Sequence, residues 1–367
     1  MEFRAAVLHD VGAPLVIERI RMTGLHRGDV LVRIGASGLC HTDLEVIQGS
    51  LAYPLPIVLG HEGAGVVEAV GEGVTQVAPG DHVVCSWNPH CGHCFYCERD
   101  QPILCEPYTG NVRRGLLLDG ASRYEFAGRP LHHFSVMSSH AEYCVVPESG
   151  AVRVPREIPF DRACLIGCGV MTGVGAVVRL ARVEAGSSVA VVGCGAVGLN
   201  CLQGAVIQRA ATIVAVDTDP ARLEMARDFG ATHTVLAGEG ALETVKSLTA
   251  GRGADYVFES AGAESALQQM LEFVRPGGQA VILGKTNVNR QVSLRFGAMM
   301  GEKRIIRSSY GGARPQRDFP WLAKLYLDGV LKLDELITRR LRLEEINEGF
   351  AAMTRGEIVR AVVSFAN

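Results

Sequence analysis

The run HCGHCFYCERDQPILC sets four thiols close together: Cys91, Cys94, Cys97 and Cys105. The spacing C-x2-C-x2-C-x7-C lets a short segment wrap four thiolates around one tetrahedral Zn²⁺, at about 2.3 Å per Zn–S bond. A closed S4 set leaves no coordination position open, so a structural zinc is expected here. Disulfides fit poorly, because the chain has eleven cysteines, an odd number, and its opening residues MEFRAAVLHD read as no secretory signal. An Fe–S cluster asks for other spacings, such as C-x2-C-x2-C-x3-C-P.

Three further metal-ligand types stand apart: Cys40 in GLCHTD, His61 in GHEGAG and Cys168 in IGCGVMTG. No two share a local motif, and a lone Cys or His is often simple core packing. Their chemistry argues for more. Two thiolates and one imidazole form a catalytic zinc set, with a fourth position left for water or substrate. Glu62 beside His61 reads as a transient ligand, a nearby charge or a solvated turn acid. Asp43 is a candidate to accept the second N–H of His61 and so fix its tautomer.

A phosphate cradle follows. Gly193, Gly195 and Gly198 spell G-x-G-x-x-G between the strand-like SSVAVVG and the helical AVGLNCLQGAVIQRA. Glycines there permit a tight turn and close approach to a pyrophosphate, which sits on the helix N-terminus. Asp217 closes the next strand, TIVAVD, 24 residues past Gly193. A carboxylate at that point accepts from both ribose hydroxyls and repels a 2′-phosphate, which favours NAD over NADP.

The elements that must position these groups fall into two styles. Residues 1–150 are rich in short β-like runs broken by Gly, Pro and Asp, such as DVLVRIGASGL, GAGVVEAVG and DHVVCSW. They predict an antiparallel, barrel-like domain with metal ligands on its loops. From about residue 173 strands alternate with helices, as βαβ units of a parallel sheet do. After about 310 the chain turns helical and ends on strand-like IVRAVVSFA, which is expected to return to the first domain. The 367 residues exceed the usual size of one core. Apolar residues make up 48% and charged residues 20%, an ordinary globular balance. A net charge of −3 without a basic run suggests neither nucleic acid nor an anionic membrane as partner. The longest apolar stretches are punctuated by Gly and read as buried strand and helix rather than a membrane span. Thiol-rich metal sites prefer a reducing compartment, so a cytoplasmic location is expected.

Taken in order, CHTD at 40–43, GHEGAG at 60–65, the four-cysteine lobe, IGCGVMTG at 166–173 and GCGAVG at 193–198 resemble the zinc-dependent alcohol dehydrogenases of the medium-chain dehydrogenase/reductase superfamily. The resemblance covers essentially the whole chain. It implies an α/β architecture, with a GroES-like β-barrel catalytic domain at 1–172 that carries the structural-zinc lobe at 90–106. A Rossmann doubly wound parallel-sheet domain for NAD follows at 173–309, and residues 310–367 return to the catalytic domain. The segment DGASRYEFAGRPLHHF at 119–134 resembles the long loop of dimeric members, which implies a homodimer.

Position by position, the resemblance implies catalytic zinc on Cys40, His61 and Cys168, and structural zinc on the lobe cysteines. Thr42 would bond the alcohol oxygen and begin proton relay. Gly193, Gly195, Val197, Gly198 and Asp217 would hold the dinucleotide. His41 and Arg360 fall where cationic phosphate contacts are often found, and Arg222 near the adenosine ribose; surface solvation is the plainer reading of both arginines. The implied reaction is reversible hydride transfer from a small-molecule alcohol to NAD, giving the aldehyde, with zinc as the Lewis acid that eases loss of the hydroxyl proton. One departure stands out. Many relatives end the proton relay on a His five residues past the first Cys ligand, and Glu45 occupies that position here.

The resemblance implies Leu51, Trp87 and Phe134 as pocket residues, from positions that line it in relatives, and an aromatic wall favours a hydrophobic primary alcohol, benzylic, allylic or medium-chain. The alternative is a glutathione-dependent formaldehyde dehydrogenase acting on S-hydroxymethylglutathione. That branch holds the tripeptide with an Arg four residues past the last lobe Cys and with acids after the first metal loop. Here Thr109 stands at the first place and GSLAYP at 49–54 contains no acid. Polar groups left without partners are costly, so the sequence leans toward the hydrophobic alcohol.

Overall fold

The computed structural model describes residues 1–287 and 289–365, which divide into two compact units: 1–168 with 314–365, and 169–313. These limits lie four residues before the expected 172/173 boundary and four after the expected 309/310 boundary. The first limit falls inside the helical run Phe160–Ala181, so no turn signal marks it in the sequence. That 22-residue run is apolar and mostly buried, as a core helix is.

The first unit is built on two sheets. A closed barrel joins Glu2–Leu8, Val16–Met22, Tyr124–Phe126, Arg129–His133 and Ile57–Val58. A seven-stranded sheet centres on Asp29–Gly38, flanked by Gly63–Val70, Tyr143–Pro147 and Arg360–Ser364. Val30, Val32, Ile34 and Ala36 alternate along that strand onto one face and are all buried, while Arg33 on the other face is partly exposed. The segment 119–134, read from its resemblance as a loop, instead contributes two barrel strands. Ala127 and Gly128 both take positive φ, 49° and 75°, and turn Tyr124–Phe126 back onto Arg129–His133. Inside that segment Arg123 is only 1% exposed, held by Asp29 at 2.6 and 3.2 Å and by Asp119 at 2.7 Å.

A local core underlies the ligand loops. Leu39, Val46, Leu51, Ile57, Leu59 and Phe134 pack with Ile346, Phe350 and Val363. Burying each such side chain contributes roughly 1.5–3 kcal/mol, and these contacts hold the loops in place.

The second unit is a six-stranded, all-parallel sheet. In chain order its strands are Ser188–Val192, Thr212–Asp217, His233–Leu236, Ala254–Glu259, Val274–Ile282 and Arg304–Arg307. Across the sheet they run third, second, first, fourth, fifth, sixth. The order reverses between the first and fourth strands, the switch point where doubly wound sheets bind nucleotides. Ala190, Val192, Val214, Val257 and Ala280 form its core with Met270 and Leu271 from the helix Glu264–Phe273.

Candidate metal centre and cofactor site

Strand register brings distant ligands together. Ser37 pairs with Gly63, so the residues just past the strand Asp29–Gly38 lie beside those just before Gly63. The Gly38 N–H donates to the Glu62 carbonyl at 2.9 Å. On the other edge Val362 pairs with Gly38, and the Leu39 N–H donates to the Ala361 carbonyl at 2.9 Å. Cys40, His61, Glu62 and Arg360 therefore converge at one strand end. Cys168 arrives from the helical run, whose Gly167 sits so near the Cys85 carbonyl that a Cβ would stand 2.9 Å from it.

The candidate ligand atoms of Cys40, His61, Glu62 and Cys168 all lie within 4.8 Å of one another. The Cys168 sulfur is 3.4 Å from His61 Nε2. His61 Nδ1 stands 3.1 Å from Asp43 Oδ2, a charge contact that is off the hydrogen-bonding line. Asp43, fully buried, is fixed by two backbone donors, Gly60 N–H at 2.9 Å and Cys40 N–H at 3.2 Å. Burial opposes a charge on His61, but Asp43 and the Cys40 sulfur outweigh it and push the imidazole up to about 10. A donor set this electron-rich, two sulfurs and one ring nitrogen, suits a soft divalent cation such as zinc.

Glu62 is no solvated acid. It is fully buried and its Oε2 meets Arg360, itself 5% exposed, so surface solvation is excluded for that arginine too. Cys40 immediately precedes the helix His41–Ile47. His41 is exposed, while Thr42 and Glu45, three apart and so on one helix side, are half-buried.

The lobe cysteines also cluster within 4.8 Å. The Cys94 and Cys97 sulfurs are 3.5 Å apart, and those of Cys91 and Cys97 are 4.0 Å apart. Those separations bracket the roughly 3.8 Å edge of a ZnS4 tetrahedron and exclude a disulfide at about 2.04 Å. The Cys91 N–H points at the Cys105 sulfur at 3.3 Å.

Around the first set, Phe134 is fully buried and stands edge-on to His61, centroids 5.4 Å apart; Tyr53 stands edge-on to Phe134 at 5.0 Å. Leu51 joins them in the same core. Trp87 does not. It is half-buried against two other clusters and lies 6.4 Å from Tyr108. The sequence reading missed Tyr53 and Arg113, whose guanidinium lies 5.4 Å over the Tyr53 ring without an acidic partner among the described residues. Neither belongs to a motif.

In the second unit Gly193 takes φ of +92°, and a Cβ there would stand 2.7 Å from the Ala261 nitrogen. A Cβ on Gly198 would run into the Gly193 carbonyl. Gly195 differs: a Cβ there would meet nothing within 4 Å, so its space is left for a ligand at the start of the helix Ala196–Ile207. Val197 is half-exposed in the first turn. Asp217, 7% exposed, accepts from the Cys194 N–H at 2.6 Å and the Asp219 N–H at 2.9 Å. Arg222 is 44% exposed, 3.8 Å from Asp219. The cradle and the acid fit a dinucleotide.

Residues 26–156 match the sequence profile of the family "Alcohol dehydrogenase GroES-like domain", and residues 196–328 that of "Zinc-binding dehydrogenase". The chain is 39% identical over 376 residues to an alcohol dehydrogenase class-3 of Cereibacter sphaeroides, with 100% of both chains covered. It is 38% identical over 375 residues to an S-(hydroxymethyl)glutathione dehydrogenase of Paracoccus denitrificans, again over 100% of both. Among solved structures, benzyl alcohol dehydrogenase from Acinetobacter calcoaceticus superimposes with a TM-score of 0.94 at 31% identity, covering 100% of each chain.

Proposed function

This chain belongs to the zinc-dependent alcohol dehydrogenases, and on that premise we propose that it oxidises a primary alcohol to its aldehyde, reversibly, with NAD as hydride acceptor. The observation that carries the reading is the convergence of Cys40, His61 and Cys168, with Glu62, within 4.8 Å. The first three would hold a zinc ion, and the four lobe cysteines a second.

A bound zinc supplies Lewis acidity that brings an alcohol's hydroxyl proton within reach of neutral pH. NAD supplies the acceptor carbon. The protein's own work is proton handling, orientation and exclusion of water. Thr42, two residues past Cys40, accepts the hydroxyl proton at its Oγ1 as it passes its own hydroxyl proton on. Glu45, on the same side of the helix, is the acceptor toward solvent in place of the relatives' histidine. Asp43 holds the His61 ring. Phe134 and Leu51 keep the surroundings dry, which strengthens every charge interaction at the centre. Gly193, Gly195, Val197 and Gly198 take the pyrophosphate, and Asp217 the ribose hydroxyls. His41, Arg222 and Arg360 are the cationic residues proposed to assist there.

Two substrate classes compete. The names of several relatives favour S-(hydroxymethyl)glutathione over a hydrophobic alcohol. The sequence objection, Thr109 and an acid-free 49–54, weakens once Arg113 is considered. It lies one helical turn past Thr109 and offers a cation over Tyr53, which leads through Phe134 to His61. We therefore put the glutathione adduct first and a benzylic or similar alcohol second, the latter supported by the same aromatic wall. The test is kcat/KM for formaldehyde with and without glutathione, set beside benzyl alcohol. A glutathione-dependent rate lowered about tenfold or more in Arg113→Ala, through KM, supports the first reading; turnover of benzyl alcohol alone replaces it with the second.

A homodimer is proposed from the resemblance of 119–134 to dimeric members and from the open edge of the parallel sheet, where Arg304–Arg307 leaves Ile305 exposed. Eleven cysteines with no disulfide among the described residues support the cytoplasm as its location.

A further inference from the structure

Behind Asp43 lies a buried polar set that the proposed reaction leaves unassigned. Ser37, Ser139 and His140 are all fully buried. Ser37 Oγ is 2.8 Å from Ser139 Oγ and 2.9 Å from His140 Nδ1. The opposite ring nitrogen, His140 Nε2, faces Asp43 Oδ1 at 3.8 Å and has no hydrogen-bond partner among the described residues. Ser37 and His140 are 103 positions apart, so this is tertiary placement rather than a local turn.

The set is clamped to the segment that carries His61. The Ser139 N–H donates to the Gly60 carbonyl at 2.9 Å, and the His140 N–H to the Leu59 carbonyl at 3.0 Å. Gly60 takes φ of +95°, and a Cβ there would stand 2.8 Å from the His140 ring. A buried ring nitrogen left unpartnered costs free energy unless its position serves something. The nearest charge it can serve is Asp43, whose Oδ2 faces His61 Nδ1 while Oδ1 faces His140.

We infer that His140 is a positioning residue for the metal-binding imidazole. Nδ1 accepts from the Ser37 hydroxyl, which leaves the proton on Nε2 and directs that N–H toward Asp43 Oδ1. The Asp43 carboxylate is thereby held from turning, and its other oxygen stays on His61. Outer partners of this kind hold ligand orientation, and their loss lowers metal affinity about 10–100-fold. The inference rests on the reading that Cys40, His61 and Cys168 hold zinc.

The test is zinc affinity of the holoenzyme by chelator competition, with the lobe zinc as internal control. His140→Phe is expected to weaken one zinc about 10–100-fold and leave the other unchanged. Ser37→Ala, which keeps the ring and its packing, is expected to move the same zinc in the same direction by less. Should His140→Phe fail to fold, Ser37→Ala alone decides. A folded variant whose two zinc affinities match the parent's overturns the inference, as does equal weakening of both. A parent that binds a single zinc refutes the metal reading itself, and this inference with it.

Discussion

The guanidinium of Arg360 closes on the carboxylate of Glu62 across 298 positions of sequence, and both side chains are buried. Two thiolates already balance the charge of a zinc dication. Glu62 would add an uncompensated negative charge beside it, and Arg360 cancels that charge.

Removing one partner of such a pair strands the other. Arg360→Met is expected to destabilise the protein by about 3–5 kcal/mol, and a Glu62→Gln/Arg360→Met double variant to recover most of that loss. Chemical unfolding of the two single variants and the double checks this; additive losses would count against the pairing.

Metal content separates the two centres. Cys40→Ala should retain the lobe zinc and NAD binding while turnover falls to background. Cys97→Ser should instead lose the lobe zinc and melt several degrees lower, with the other zinc kept. Metal analysis and NAD titration on each variant read the outcome. Retained turnover in Cys40→Ala removes that thiol from the catalytic set.

His133 gives the protein an acid limit. Burial, then the nearby Arg123 and His132, hold its imidazole down to about 3. In the unfolded chain the ring titrates near 6.5, so between about pH 6.5 and 3 the unfolded state binds the extra proton and stability falls as pH drops. At pH 5 this one group costs about 2 kcal/mol relative to pH 8, and above pH 7 it costs nothing. Melting temperatures from pH 8 to 4.5 should fall less steeply in His133→Asn than in the parent; identical slopes would assign the acid sensitivity to another group.

Asp217 governs the choice of dinucleotide. Asp217→Ser removes the repulsion of a 2′-phosphate and also frees the Cys194 N–H, which the carboxylate now occupies at 2.6 Å. The ratio of kcat/KM for NAD over NADP is expected to drop about tenfold or more, near 1.4 kcal/mol. An unchanged ratio would give discrimination to other residues, with Arg222 the first to test.

Legibility in the sequence followed distance along the chain. The lobe cysteines and the glycine cradle were readable because their parts lie within one loop or one turn, where spacing fixes geometry. Cys40, His61 and Cys168 carried no such signal; they meet through the register Ser37 to Gly63 and through the close approach at Gly167. Residues 119–134 read as a loop from resemblance alone, yet the barrel recruits Tyr124–Phe126 and Arg129–His133 as strands. Ser37, Ser139 and His140 were invisible, since each alone is an ordinary polar residue. Arg123 was hidden for a similar reason: a buried arginine is recognisable only once Asp29 and Asp119 stand beside it.

The seating of Arg360–Ser364 inside the seven-stranded sheet, between Asp29–Gly38 and Ile337–Leu341, sets an order for biosynthesis. Residues 169–313 are contiguous, so that unit leaves the ribosome with every strand it needs and can fold during translation. The sheet around Cys40 and His61 cannot close until a strand made some 320 residues later arrives, and with it the cation for Glu62. Until that strand is in place, the buried Glu62 lacks the countercharge that the completed sheet sets beside it.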